Sequence, residues 1–145
     1  MNHPRILSIP LAIRVYPEPS TNKERSQRGN WSRPECMLVF DTETTVDSTQ
    51  RLLCGSYRFI DKGVCREEGL FYPDDLSKAD LTILERYVAE HRADTPEKSE
   101  LKLLSRTDFL KKFFTVAYKL RALIVGFNLP FDLSRLGFDV TVIAG

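Results

Sequence analysis

Three carboxylates in two short stretches are the residues of this chain best suited by type and spacing to do chemistry. The first stretch is Asp41-Thr42-Glu43-Thr44-Thr45, directly after the apolar run Met37-Leu38-Val39-Phe40. Strand residues i and i+2 point the same way, so Asp41 and Glu43 would leave the sheet together. Two carboxylates at close quarters repel unless a proton or cation lies between them. Hard oxygen donors of this kind suit Mg²⁺ or Mn²⁺. A solvated turn, with threonine hydroxyls capping the next segment, accounts for the same five residues.

The second stretch runs Gly126-Phe127-Asn128-Leu129-Pro130-Phe131-Asp132-Leu133-Ser134-Arg135-Leu136, from the end of the apolar run Ala122 to Phe127. Pro130 suits a first helical turn, where its missing N–H costs little. Asp132 then lies near a helix start, a place where the helix dipole favours an acid whatever its role. Phe131, Leu133 and Leu136 are available for packing. If the two apolar runs are strands lying side by side and parallel, Asp41, Glu43 and Asp132 emerge at one end of the sheet.

The elements around them are legible from pattern. Continuous apolar runs at 37–40 and 122–127 predict strands buried on both faces. Leu52 to Ile60 and Val64 to Tyr72, separated by Asp61-Lys62-Gly63, predict a hairpin, with Gly69 as a candidate bulge. Ser77 with Asp80 three residues on predicts a helix start, followed by Leu81, Leu84 and Val88 at helical spacing. Residues 92–104 read as a connecting loop broken at Thr95-Pro96. A helix opening near Ser105 or Thr107 carries a core-facing stripe of Phe109, Phe113, Ala117 and Leu120, widened by Leu110 and Phe114. A helix at 129–136 and a strand at 138–143 close the list. The expected fold is α/β: a mixed sheet made of a three-strand antiparallel meander and then alternating helices and strands.

The 145 residues suit one main domain, expected at 37–145, preceded by a weak strand at 5–15 and a linker ending at 36. Lys23, Arg25, Arg28 and Arg33 in that linker read either as phosphate contacts or as plain solvated charge. Composition is ordinary for a globular chain, with 42% hydrophobic and 28% charged residues, which excludes disordered and low-complexity classes. No apolar run reaches the roughly 18 residues of a membrane span. Three cysteines without a Cys-x-x-Cys pair support neither a disulfide framework nor a zinc knuckle. A reducing cytoplasm is the expected location. The net charge of +1 names no partner, although an acidic middle between basic ends would admit a phosphate backbone from one side.

Val39-Phe40-Asp41-Thr42-Glu43-Thr44-Thr45 resembles the first motif of the DEDD superfamily of 3′–5′ exonucleases, and Gly126 to Leu136 resembles the second. That superfamily includes DnaQ-like proofreading exonucleases and the exonuclease domain of family B polymerases. Motif order, the 91 residues from Asp41 to Asp132, and the pattern between them carry the likeness over residues 37–143. The resemblance implies a ribonuclease-H-like fold and two-metal hydrolysis of a phosphodiester in single-stranded or 3′-end nucleic acid, with Mg²⁺ or Mn²⁺. It also implies roles. Asp41 would bridge both metals, Glu43 would hold the metal carrying the nucleophilic water, and Asp132 would support the second metal. Asn128 would order the site or contact substrate, and Thr44 would contact the terminal nucleotide.

One part of the pattern has no counterpart. The family places a fourth acid on a final helix, as Tyr-x-x-x-Asp or His-x-x-x-Asp. Neither His3 nor His91 stands in such a pattern, and Tyr72-x-x-Asp75 has the wrong spacing and place. The expectation is an N-terminal part of an exonuclease-like protein, its C-terminal helix missing or supplied by a partner, and inactive alone. A remnant that binds metal or nucleic acid without turnover fits the same residues. So, less well, does a phosphatase resembling the haloacid dehalogenases, with Asp41 as a phosphorylated nucleophile.

Overall fold

The computed structural model describes residues 34–137, all within one compact unit. The expected strands at 5–15 and 138–143, and the linker cations Lys23, Arg25, Arg28 and Arg33, lie outside the described residues. Five strands form one mixed sheet: β1 (Cys36–Thr44), β2 (Leu52–Asp61), β3 (Val64–Tyr72), β4 (Lys102–Ser105) and β5 (Leu123–Val125). Their spatial order is β4-β3-β2-β1-β5. β1, β2 and β3 make the expected antiparallel meander, turned by Lys62 and Gly63, both at positive φ. β4 runs parallel to β3, and β5 runs parallel to β1 through Met37↔Leu123, Leu38↔Ile124 and Val39↔Val125. All strands except β2 therefore end at the same edge of the sheet.

β4 corrects the reading of 92–104 as loop. It pairs Gly69 to Tyr72 with Lys102 to Ser105. Gly69 is not a bulge; a Cβ there would stand 2.4 Å from the Lys102 carbonyl oxygen, so the glycine lets β4 approach. The extra residue in the hairpin is Arg66, between the pairs Phe59↔Glu67 and Ile60↔Cys65.

Three α-helices join the strands: α1 (Lys78–Glu90), α2 (Arg106–Phe114) and α3 (Leu129–Leu136). Ser77 caps α1 as expected, accepting from the Asp80 N–H at 3.2 Å, and Ser105 caps α2 in the same way through Asp108. Leu81, Leu84 and Val88 form the half-buried side of α1. Parallel β–α–β connections are right-handed as a rule, so the outward step from β3 to β4 and the return from β4 to β5 would carry α1 and α2 over opposite faces of the sheet. The core lies under α2. Phe109 is fully buried, stacked on Phe71 at 4.0 Å and tilted against Phe40 and Tyr57. Phe113 packs against this cluster, but Phe114 and Leu120 do not belong to the core. After Phe114 the helix widens into a π turn at Thr115–Lys119. Phe114, the last residue of the regular turns, is exposed and stacks on Tyr118, and the π turn shifts the phase beyond it, leaving half of Leu120 exposed. No helix among the described residues is long and apolar enough to cross a membrane.

Candidate functional site

Alternation along β1 decides where its chemistry points. Leu38, Phe40 and Thr42 are buried, whereas Asp41 and Glu43 are exposed. Asp41 and Glu43 thus share one face, as their spacing predicts, and that face is opposite the aromatic core. The cross-strand partners agree: Asp41 sits opposite Ser56 and Glu43 opposite Cys54, while Phe40 sits opposite Tyr57. Burial, and after it the charge of Glu43, holds the Cys54 thiol above its usual pKa, which keeps it a poor nucleophile. Burial likewise raises the thiols of Cys36 and Cys65.

Asp41 borders an open groove of about 380 Å³ with Val39, Ser56, Arg58, Glu68 and Phe127. The Phe127 ring is fully exposed there. Arg58 does not reach Asp41 as a counterion; its guanidinium pairs with Glu68 at 2.8 Å, and Glu68 also accepts from the Asp94 N–H at 2.6 Å. Asp41 and Glu43 make no hydrogen bond or ion pair among the described residues.

Asp132 lies at the same sheet end but turns the other way. Within α3 it shares a face with Leu136, and both are 2% exposed. Its Oδ1 accepts from the Thr42 hydroxyl at 2.6 Å, and its Oδ2 is buried without a hydrogen-bond partner. Gly126 makes room for it, since a Cβ there would stand 3.3 Å from Oδ2. The expected parallel pairing of the two central strands is present. The expected convergence of three carboxylates is not. Among the described residues no three His, Cys, Asp or Glu side chains are grouped to hold a metal ion. With Asp41 and Glu43 on one face and Asp132 bonded to Thr42 on the other, these side chains as arranged do not fit a shared Mg²⁺ or Mn²⁺ pair.

The remaining expected residues are simply placed. Asn128 is the exposed residue before α3; its carbonyl accepts from the Asp132 N–H at 3.0 Å, and its side chain makes no capping bond. Thr44 is half-buried at the end of β1. Phe131 is half-buried under the Arg135 guanidinium, 4.8 Å from the ring centroid, which agrees with a packing role. A Tyr-x-x-x-Asp spacing does occur at Tyr57–Asp61, but on β2. There the Tyr57 hydroxyl is tied to Glu67 at 2.5 Å, and Glu67 in turn to Lys112.

Sequence reasoning overlooked Thr42, the middle residue of the first motif. Its signal was parity: it follows Leu38 and Phe40 at spacing two, so it belongs to the core face. No protein-family model, curated protein or solved structure matches this chain.

Proposed function

We propose that this chain is a nucleic-acid-binding domain on the plan of the DEDD exonucleases, directed at single-stranded 3′ ends, and that residues 1–145 alone do not hydrolyse them. The observation that carries this reading is the parallel β1–β5 pair, which puts Asp41-Thr42-Glu43 and Asn128-Leu129-Pro130-Phe131-Asp132 at one sheet end, one after each central strand. A ribonuclease-H-like arrangement of the mixed sheet is part of the same proposal. The expectation that the chain is inactive alone is favoured by a specific contact. Asp132 spends one oxygen on Thr42, a residue of the face opposite Asp41 and Glu43, and keeps the other buried.

The test compares a linear single-stranded oligonucleotide with a circular one of the same length, each with Mn²⁺ present. The chain should bind the linear form more tightly and release no nucleotides from it. Equal binding of both forms would remove the 3′-end reading. Nucleotide release that vanishes in Asp41→Ala would show that the carboxylates regroup into a working site.

A further inference from the structure

A second pocket opens at the carboxyl end of the strands, and no part of either acidic motif's expected chemistry explains it. It encloses about 230 Å³ between the 45–51 loop, Pro73 after β3, Arg106 after β4, and α3. Three arginines from three distant segments line it, Arg51, Arg106 and Arg135, with Asp75 the one acid in the lining. Arg106 is paired with Asp74 at 3.3 Å, which leaves Arg51 and Arg135 as the phosphate-binding groups. We propose that this pocket binds a backbone phosphate of single-stranded nucleic acid, holding the strand beside the acidic motifs. The inference rests on the nucleic-acid reading above and names its anchoring contact.

Each wall is built to present charge. The loop is tied at both ends: the Thr45 N–H donates to the Arg51 carbonyl at 2.9 Å, and the Arg51 N–H donates to the Thr45 hydroxyl at 2.9 Å. Asp47 gathers the tip by accepting from the N–H and hydroxyl of Thr49. Arg135 then fastens α3 to this loop. Its Nη1 donates to the Gln50 carbonyl at 2.8 Å, and its Nε to the Ser134 hydroxyl at 3.0 Å. The other nitrogen, Nη2, has no partner among the described residues, so the guanidinium is fixed in place with a donor edge to spare. Arg51 meets Asp75 only at 3.8 Å, with both side chains more than 60% exposed, a contact that a phosphate can outcompete. Planar guanidinium groups match phosphate oxygens in pairs, which is why arginine rather than lysine suits such a pocket.

The acidic motifs and the pocket are neighbours along the chain. Thr44 leads into the 45–51 loop, and Asp132 precedes Ser134 and Arg135 within α3. A strand crossing the carboxyl end of the sheet would meet both.

The experiment measures binding of a fluorescein-labelled single-stranded thymidine octanucleotide, and separately of inorganic phosphate, to the full chain in EDTA over a range of salt. Arg51→Gln, on an exposed side chain, should weaken oligonucleotide binding about fivefold at 0.1 M salt. It should also reduce the slope of log K against log salt by about 0.7, the value for one lost phosphate contact on a single strand. Arg135→Lys should weaken binding as well, because it keeps the charge but loses the planar fork. Lys119→Gln, in the π turn before β5 and hence at the other end of the sheet, should change nothing. Oligonucleotide binding that ignores Arg51→Gln and Arg135→Lys would overturn the pocket while leaving the nucleic-acid reading in place. Phosphate binding that depends on Arg51, with no oligonucleotide bound, would keep an anion pocket and sink the reading it rests on. Binding of neither probe overturns the inference.

Discussion

On one face of this sheet Leu38, Phe40, Tyr57 and Phe71 are sealed under Phe109; on the other, their sequence neighbours Val39, Asp41 and Arg58 border an open groove. The same strands supply both faces. One is committed to packing, and among the described residues the one buried side-chain oxygen left unmatched lies at its rim, on Asp132 where it meets Thr42. The opposite face carries charge that packing does not constrain. The contrast teaches that strand alternation divides Asp41-Thr42-Glu43 between the two faces, and that the middle residue belongs to stability.

Substitutions test how sharp that division is. Phe109→Ala should be the most damaging, costing about 3–5 kcal/mol through loss of a fully buried aromatic ring, read from urea unfolding. A loss below about 1 kcal/mol would mean the packed face is not where stability resides. Thr42→Val removes, at nearly constant shape, the hydrogen bond that holds the buried Asp132 carboxylate. It should cost about 1–3 kcal/mol in the same assay, although Thr42 is only one residue from each exposed acid.

A pH series probes the packed face from another direction. Burial first, then the hydrogen bond to Glu67 and its charge, raise the Tyr57 phenol well above its ordinary pKa. A raised pKa means the fold favours the protonated form. The stability it contributes is present below about pH 10, where an unfolded tyrosine ionises, and is lost as pH rises beyond that. Urea midpoints of the native chain should fall more steeply above pH 10 than those of Tyr57→Phe; parallel curves would refute the assignment. Asp41→Ala should have the smallest effect, within about 0.5 kcal/mol, because the side chain is exposed and has no partner among the described residues. If it matched Thr42→Val in cost, the two faces would not be distinct.

Much of this was open to reading before any coordinates. The two continuous apolar runs identified β1 and β5, and their parallel pairing, a condition in the sequence reading, is present in the fold. Ser77 announced α1. What escaped were features that only three-dimensional neighbours decide. β4 has four residues, two of them leucines, and no alternation long enough to register against the loop around it. Phe114 and Leu120 fitted a regular helical stripe, but Phe114 lies on its exposed edge and a single π turn shifts the phase before Leu120. For Asp132, the position was right and the direction was not. Its spacing of four from Leu136 already placed it on the buried side of α3, a helix-phase argument that outweighs the strand-end argument. The arginines at 51, 106 and 135 could not be grouped at all, since they come from three segments that only the topology joins.

The Thr42–Asp132 bond also bears on how the molecule acquires its shape. It links residues 90 apart in sequence, whereas β1, β2 and β3 zip together through adjacent hairpins. Contacts across long loops carry the larger entropic cost and form after local ones. Among the described residues the meander is then expected to order first, with β5 and α3 docking late. Pulsed amide exchange during refolding would reveal this as early protection of 52–72 and delayed protection of 123–136. The sheet end that carries the acids and the arginines is, on this account, completed only in the last step of folding.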